Sequence, residues 1–404
     1  MLSQVLSELL AADPNPAPAA WRIITKIAYF VGLIGTFGGT LLYVLVLNPL
    51  LARSQVNTSD RDLLRRRAAL ILAAIGTWFL VALYFQLAGK AARIKGQEIP
   101  YSEAVLPGRV LDYLTAPARP GEWMSVGAQA ALQYGLWALS AVALVLLWRS
   151  GMHRHTTRIA GTSYVLAFVA YAVTWVPTDP SSETFDSVLD SVLDHVHVLS
   201  VSTWVGGVAT LALLSAAHRG LTPGAGAVWA QIWSRFSIVA LTAVGGMVVS
   251  GSWLAWKYVG GIGDLFTTEF GRFLLVKLVL VGTMIALGGV NEFILMPRIA
   301  RARAAGEEGS VFRLAVRVFP RIVALESALG LGVLVVLTFL TGSARAESGS
   351  EEPVVDGGVI MVGLLLIAVL ATSFVTTAKV SDRLARSGSE PEPKGEGELA
   401  SKSR

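Results

Sequence analysis

The sequence predicts an all-α protein, a polytopic transmembrane helix bundle of about nine spans with its N-terminus outside and its C-terminus inside. Three observations lead there. Apolar residues make up 53% of the 404 positions and charged residues 15%, with a mean hydropathy of +0.60, whereas a soluble domain carries roughly a quarter charged residues. Apolar runs of about 20 residues recur, the length a helix needs to cross a hydrocarbon core of about 30 Å. The loops between those runs alternate in basic content, as a chain threading back and forth through a cytoplasmic membrane requires.

In chain order, residues 1–22 form a short extracytoplasmic lead-in with Glu8 and Asp13 and no basic start, unlike a cleaved signal peptide. Nine apolar segments follow, at roughly 23–50, 68–89, 124–148, 159–177, 192–217, 236–257, 272–296, 321–341 and 355–378. The first four make an N-terminal membrane region over 23–178, and the ninth stands apart as an additional C-terminal span. Arginines crowd the first loop (Arg53, Arg61, Arg65, Arg66, Arg67), the third (Arg149, Arg154, Arg158) and the seventh (Arg298, Arg301, Arg303, Arg313, Arg317). The fourth loop, PTDPSSETFDSVLD, has no Lys or Arg, and the eighth is mostly acidic. Only the second loop, about 90–123, departs from the alternation, with Lys90, Arg93, Lys95, Arg109 and Arg119; it has the length to form a lid or interfacial helices. The tail over 380–404 is polar and rich in Pro, Gly and Ser, the composition of a disordered cytoplasmic segment.

Composition also narrows the chemistry. The chain has no cysteine, which removes disulfides and thiolate metal sites. It shows no Walker loop, no GxGxxG and no HExxH, so ATP-driven pumping and zinc-protease chemistry have no visible apparatus, and the chain reads as a non-enzyme. The net charge of +5 is accounted for by cytoplasmic loops and gives no reason to invoke nucleic acid; the expected surroundings are the lipid bilayer.

Against this apolar background the stretch DHVHVLSVSTWVGG, 194–207, stands out, since it holds two of the five histidines. Residues three, four and seven apart share a helix face, which joins Asp190, Asp194, His197 and Trp204 in one stripe. His195 and His197, two apart, point to different sides and cannot chelate one ion from a regular helix. A carboxylate with an imidazole suits a divalent transition metal, Cu(II) included, or the carboxylate orients the imidazole. A plain helix-end role, with Asp194 favouring the dipole and His197 near the headgroups, is the alternative reading. Gly206 and Gly207 suit close helix packing.

Other polar or soft groups fall inside the spans. Lys277 lies near the outer end of the seventh, placed to snorkel or to pair with a carboxylate; Asn291 and Glu292 lie near its inner end. Glu326, in the eighth, is either a functional group or an ion-pair partner of Arg321 or Arg298. Met247 and Met284 fall near mid-membrane, where thioether sulfur suits Cu(I) but also fills core gaps.

These residues carry a resemblance. Asp194, His197, Trp204, Gly206 and Gly207, as D-x-x-H-x6-W-x-G-G, resemble the signature helix of the CopD copper-resistance family. Thr268, Phe270, Gly271, Leu274 and Lys277 resemble its T-x-(aromatic)-G-x-x-L-x-x-K segment, and Leu325-Glu326 its following L-E. The likeness covers about 190–345, a CopD-like membrane domain, and is loose over the first four spans. His195 is extra, and Phe270 stands where Tyr is common. The resemblance implies a multi-pass protein of the cytoplasmic (inner) membrane that handles copper, accepting it at His197 and Asp194 from outside. Met247, Met284 and Glu326 are deeper candidate stations and His195 a bystander. No CopC-like β-domain appears, so a separate extracytoplasmic copper-binding protein would supply the metal. Two other classes stay open: an assembly or scaffold factor for a copper enzyme, and a b-type haem subunit. The last is disfavoured because both membrane-embedded histidines share one helix.

Overall fold

The computed structural model describes residues 19–53, 57–94, 98–179, 185–222, 224–259 and 263–340; the segment expected as a ninth span, 355–378, and the tail over 380–404 lie outside them. Eight long helices carry the described chain: α1 (Ala20–Leu41), α2 (Thr58–Ala91), α3 (Val126–Val145), α4 (Thr156–Ala172), α5 (Phe185–Ala216), α6 (Ala225–Tyr258), α7 (Glu269–Val290) and α8 (Phe319–Leu340). Seven of these runs are long and apolar enough to cross a membrane. The eighth, α4, has 17 residues and is continued by a 3-10 turn at Val173–Trp175. The protein is thus an all-α polytopic membrane helix bundle.

Side-chain caps set several helix starts. Asn57 accepts from the Ser59 amide at 3.1 Å, Ser125 from Ala128 at 3.0 Å and Thr268 from Gly271 at 2.9 Å, each supplying an acceptor that the first helical turn lacks. The cap at Asn57 starts α2 about ten residues before its apolar run, so Arg61, Arg65, Arg66 and Arg67 ride on its first turns rather than in a loop. The long second loop contains two short helices, Tyr101–Ala104 and Pro107–Leu114. It is pinned across the ends of α1 and α2: Trp21 stacks on Tyr101 at 4.3 Å, and the Tyr84 hydroxyl donates to the Val105 carbonyl at 2.6 Å.

Helix α1 is the most buried, packed by α2, α4, α5 and α8, while α7 is the least. That fits its sequence, which is apolar or small on all sides from Gly32 to Leu42. In a bilayer lipid is as apolar as leucine, so close approach of small residues has to drive association. The α1–α5 crossing shows this: a Cβ on Gly38 would run into the main chain of Ser202, Gly206 and Gly207, and one on Gly206 into the Ile34 carbonyl. Beside it, Phe236 of α6 fills the space over Gly207, and Ser200 lies against Gly246. On α6 the residues facing the core recur every seven, as Trp229, Phe236, Ala243 and Ser250, the spacing of helices crossing at about 20°.

Three π-turns interrupt the long helices, at Leu42–Leu47, Asn291–Leu295 and Leu314–Val318. Each is followed within two residues by a proline, Pro49, Pro297 and Pro320 respectively. A proline lacks its N–H and its ring strikes the carbonyl four residues back. Widening the turn before it lets the helix continue without a break.

At the arginine-rich end, buried Asp60 accepts from the Thr222 amide at 3.2 Å and from its hydroxyl at 2.5 Å, tying the start of α2 to the chain leaving α5. Nearby, the Arg67 guanidinium donates to the Arg219 carbonyl. Replacing Asp60 with alanine removes both bonds to Thr222, so the purified protein should lose about 1–3 kcal/mol, read as a lowered melting temperature in detergent.

Candidate metal site

The fifth-helix stretch enters the bundle at the end opposite the arginines, and its two histidines part company there. His195 turns towards α4. It is 6% exposed, with Nδ1 bonded to the Ser191 carbonyl at 2.6 Å and Nε2 to the Thr174 hydroxyl at 2.7 Å. Its ring lies between Tyr171 and Trp175, with centroids at 4.2 and 4.9 Å. With both nitrogens engaged, this imidazole has no lone pair to offer a metal in this arrangement. His195→Ala should therefore cost about 1–3 kcal/mol in thermal stability, through the two lost hydrogen bonds and the emptied aromatic slot. Its copper response, normalised to folded protein, should stay near that of the native chain.

His197 turns the other way, towards α6. Its Nδ1 lies 3.3 Å from both the Met247 carbonyl and the Ser250 hydroxyl oxygen. Ser250 donates its own proton to the Gly246 carbonyl at 2.6 Å, which leaves its oxygen as an acceptor. The arrangement favours the tautomer with the proton on Nδ1 and directs a free lone pair from Nε2. Gly251 keeps room for the ring: a Cβ there would sit 3.0 Å from Cε1.

Two charges complete this cluster. Lys277 of α7, partly buried, acts electrostatically on His197 and is itself drawn to Asp194. Asp194 is exposed, one helical turn before His197. One turn further out, Asp190 accepts from the Trp253 indole at 2.9 Å, which fastens the end of α6 to α5. The structure thus gathers Asp194, His197 and Lys277, with Asp190 alongside. Ser250 and Trp253 do not stand out in the sequence; a serine and an indole in an apolar helix give no signal until the facing helix is known.

The deeper residues lie apart from this cluster. Met247 meets His197 through its carbonyl oxygen, and its side chain is buried in the core. Met284 of α7 is 2% exposed and packs over Gly330 of α8. Glu326, 3% exposed, accepts from the Asn291 amide nitrogen at 3.1 Å. That replaces the arginine pairing offered by the sequence: Arg298 and Arg321 are both exposed. Among the described residues no three His, Asp or Glu side chains converge to cage a metal ion. An ion at this cluster would therefore take two such ligands at most from the described residues.

Comparison with known proteins places these elements among relatives. Residues 230–340, covering α6, α7 and α8, match the family described as Copper resistance protein D, CopD. Over 347 residues the chain is 26% identical to the copper transport protein CutJ of Bacillus subtilis (strain 168), a match covering 85% of this chain and 56% of that protein. Over 159 residues it is 28% identical to copper resistance protein D of Pseudomonas syringae pv. tomato, covering 39% of this chain and 50% of that one. The chain thus spans about half the length of the curated relatives it matches. No solved structure matches it significantly.

Proposed function

We propose that this chain is a CopD-type protein, as the match over residues 230–340 and the two copper-named relatives support, and that it carries copper across the cytoplasmic membrane, inward, from an outer site at His197 and Asp194. The observation that carries this reading is the imidazole of His197. It is the histidine of the pair whose Nδ1 is steadied by a neighbouring helix while Nε2 stays available. The carboxylate of Asp194 one turn away adds a second ligand of the kind copper accepts.

The ammonium of Lys277 lies within electrostatic reach of Asp194. An arriving cation competes with it, and the repulsion between the two charges keeps the ion from settling permanently. Inward of this point, Met284 and Glu326 mark one route on facing helices, and Met247 lies beside His197 on α6; these are the groups to which the ion would pass. The arginines support this orientation: Arg53, Arg61 and Arg65 to Arg67 sit at the far end of the bundle, the pattern of a cytoplasmic end. Copper delivery would come from a separate extracytoplasmic copper-binding protein.

The test is cellular copper content. Cells expressing the chain should accumulate more copper than cells carrying an empty vector, in proportion to folded protein in the membrane. Unchanged copper on expression, together with loss of a copper enzyme's activity on deletion, would instead make the chain an assembly factor and end the transport reading.

A further inference from the structure

Three cations crowd together at the end of the bundle opposite the arginine-rich one. Arg22 sits on the first turn of α1, Lys90 on the last turn of α2, and Arg93 just beyond it. Packing joins these two helix ends at Gly89, where an added Cβ would meet the Trp21 ring at 3.2 Å. Arg93 folds back over the same glycine, its Nε donating to the Gly89 carbonyl at 2.8 Å. The Lys90 ammonium lies 5.2 Å from the centre of the Tyr134 ring of α3. Arg93 is within electrostatic reach of both Arg22 and Lys90, so the three charges share one locality.

Local structure explains only part of this grouping. Cations favour a helix C-terminus, which suits Lys90 and Arg93 at the end of α2. Arg22 has the opposite setting, a positive charge on the first turn of α1, where the helix dipole is itself positive. Among the described residues none of the three forms an ion pair. Glu98 and Glu103 of the same loop are exposed, and Asp112 pairs with Arg109 at 3.9 Å. Like charges held this close repel, and an anion between them removes the cost. The departure of the second loop from the basic alternation of the others has the same origin, since Lys90 and Arg93 belong to it.

The depth of the group indicates which anion. Arg22 immediately precedes the apolar run of α1 and Lys90 immediately follows that of α2, which puts both at the edge of the hydrocarbon, level with lipid headgroups. The short helix Pro107–Leu114 reaches the same place through Tyr113, which acts on Arg93. It buries Val110 and Tyr113 and leaves Leu111 exposed, with exposed Leu106 before it, the disposition of a helix lying in the membrane interface. Lys90 is partly buried, so a slender group reaches it and a broad protein surface does not.

We propose that Arg22, Lys90 and Arg93 form a binding site for the headgroup phosphate of an anionic phospholipid. The two guanidinium groups offer paired N–H donors to the phosphate oxygens, and the Lys90 ammonium, steadied over Tyr134, adds a third charge from within the bundle. A zwitterionic lipid fits less well, because its headgroup would bring a fourth cation to the same spot. The site stands whether or not the chain moves copper.

The test is the melting temperature of the full chain purified in a neutral detergent, titrated in turn with phosphatidylglycerol, phosphatidylcholine and inorganic phosphate. Phosphatidylglycerol should raise it, and the other two should do so far less. In Arg22→Gln/Arg93→Gln, which changes two exposed side chains and leaves the core alone, the phosphatidylglycerol needed for half of the rise should increase roughly thirtyfold, about fivefold for each charge removed. Arg109→Gln, at a cation of the same loop that already has a partner, should respond like the native chain. Equal phosphatidylglycerol responses from the native chain and the double variant overturn the site, and so does an equal response to phosphatidylcholine. A rise with inorganic phosphate and none with phosphatidylglycerol overturns the lipid and makes a small anion the occupant. A rise with polyglutamate in place of phosphatidylglycerol does the same in favour of an acidic protein. If the double variant melts lower before any lipid is added, native mass spectrometry of the folded chains decides, with equal retention of phosphatidylglycerol overturning the site.

Discussion

Cells expressing the His197→Ala protein are expected to accumulate no more copper than cells lacking the protein, although the variant should insert and fold. The imidazole is only partly buried, and its hydrogen bonds to Met247 and Ser250 are long at 3.3 Å, so its removal leaves little stranded. What is lost is the nitrogen lone pair, for which alanine has no substitute. Ser250→Ala makes the companion test. It spares the ligand and removes an acceptor that fixes the ring, a change that typically weakens metal binding roughly ten- to a hundredfold. Copper accumulation and detergent melting curves on the same preparations separate the two effects. If His197→Ala accumulates copper like the native chain, or falls no further than His195→Ala at equal folded protein, the outer site is misassigned.

Gly206→Ala is expected to be among the most damaging single-methyl changes in the bundle. The added carbon has no free volume, because it lands on the Ile34 carbonyl of the most buried helix, and a main-chain atom cannot swing aside as a side chain does. Overpacking generally costs about 1–3 kcal/mol and occasionally more, and a backbone obstacle puts this position at the upper end or beyond. The measurable result is a large drop in melting temperature in detergent and little protein in the membrane fraction. Gly282→Ala, where nothing lies within 4 Å of the new carbon, is the matched control and should be nearly silent. An equal response from both glycines would show that the α1–α5 contact does not set stability.

Much of this architecture is legible in the amino-acid sequence, for reasons that differ from residue to residue. Membrane helices declare themselves through local composition, so most spans can be read to within a few residues. The separation of His195 from His197 is also local, since helical phase alone sends residues two apart to different faces. The partners of each histidine are not legible, because they come from other helices: Thr174, Tyr171 and Trp175 for one, Ser250 and the Met247 carbonyl for the other. Sequence proximity suggests Arg298 or Arg321 for Glu326, yet packing delivers a neutral amide from α7. Hydropathy places the start of α2 too late because it follows the membrane and the helix does not stop there; Asn57, a good cap well before the apolar run, is the available sign. The three prolines are equally plain signs of irregular turns.

Those turns alter which side of the chain faces inward. Along α7 an undisturbed seven-residue rhythm from Lys277 through Met284 and Asn291 would bring Arg298 into the bundle next. The wide turn at Asn291–Leu295 consumes an extra residue, so the buried position arrives one late, at Ile299, and Arg298 is left exposed. The same delay separates Tyr43 from Leu51 and Val311 from Phe319, pairs of buried residues eight apart rather than seven. Each proline thus works as a phase shifter. It rotates the emerging helix by about a quarter turn just where the chain passes from lipid to water, so that one continuous helix can obey two different surroundings.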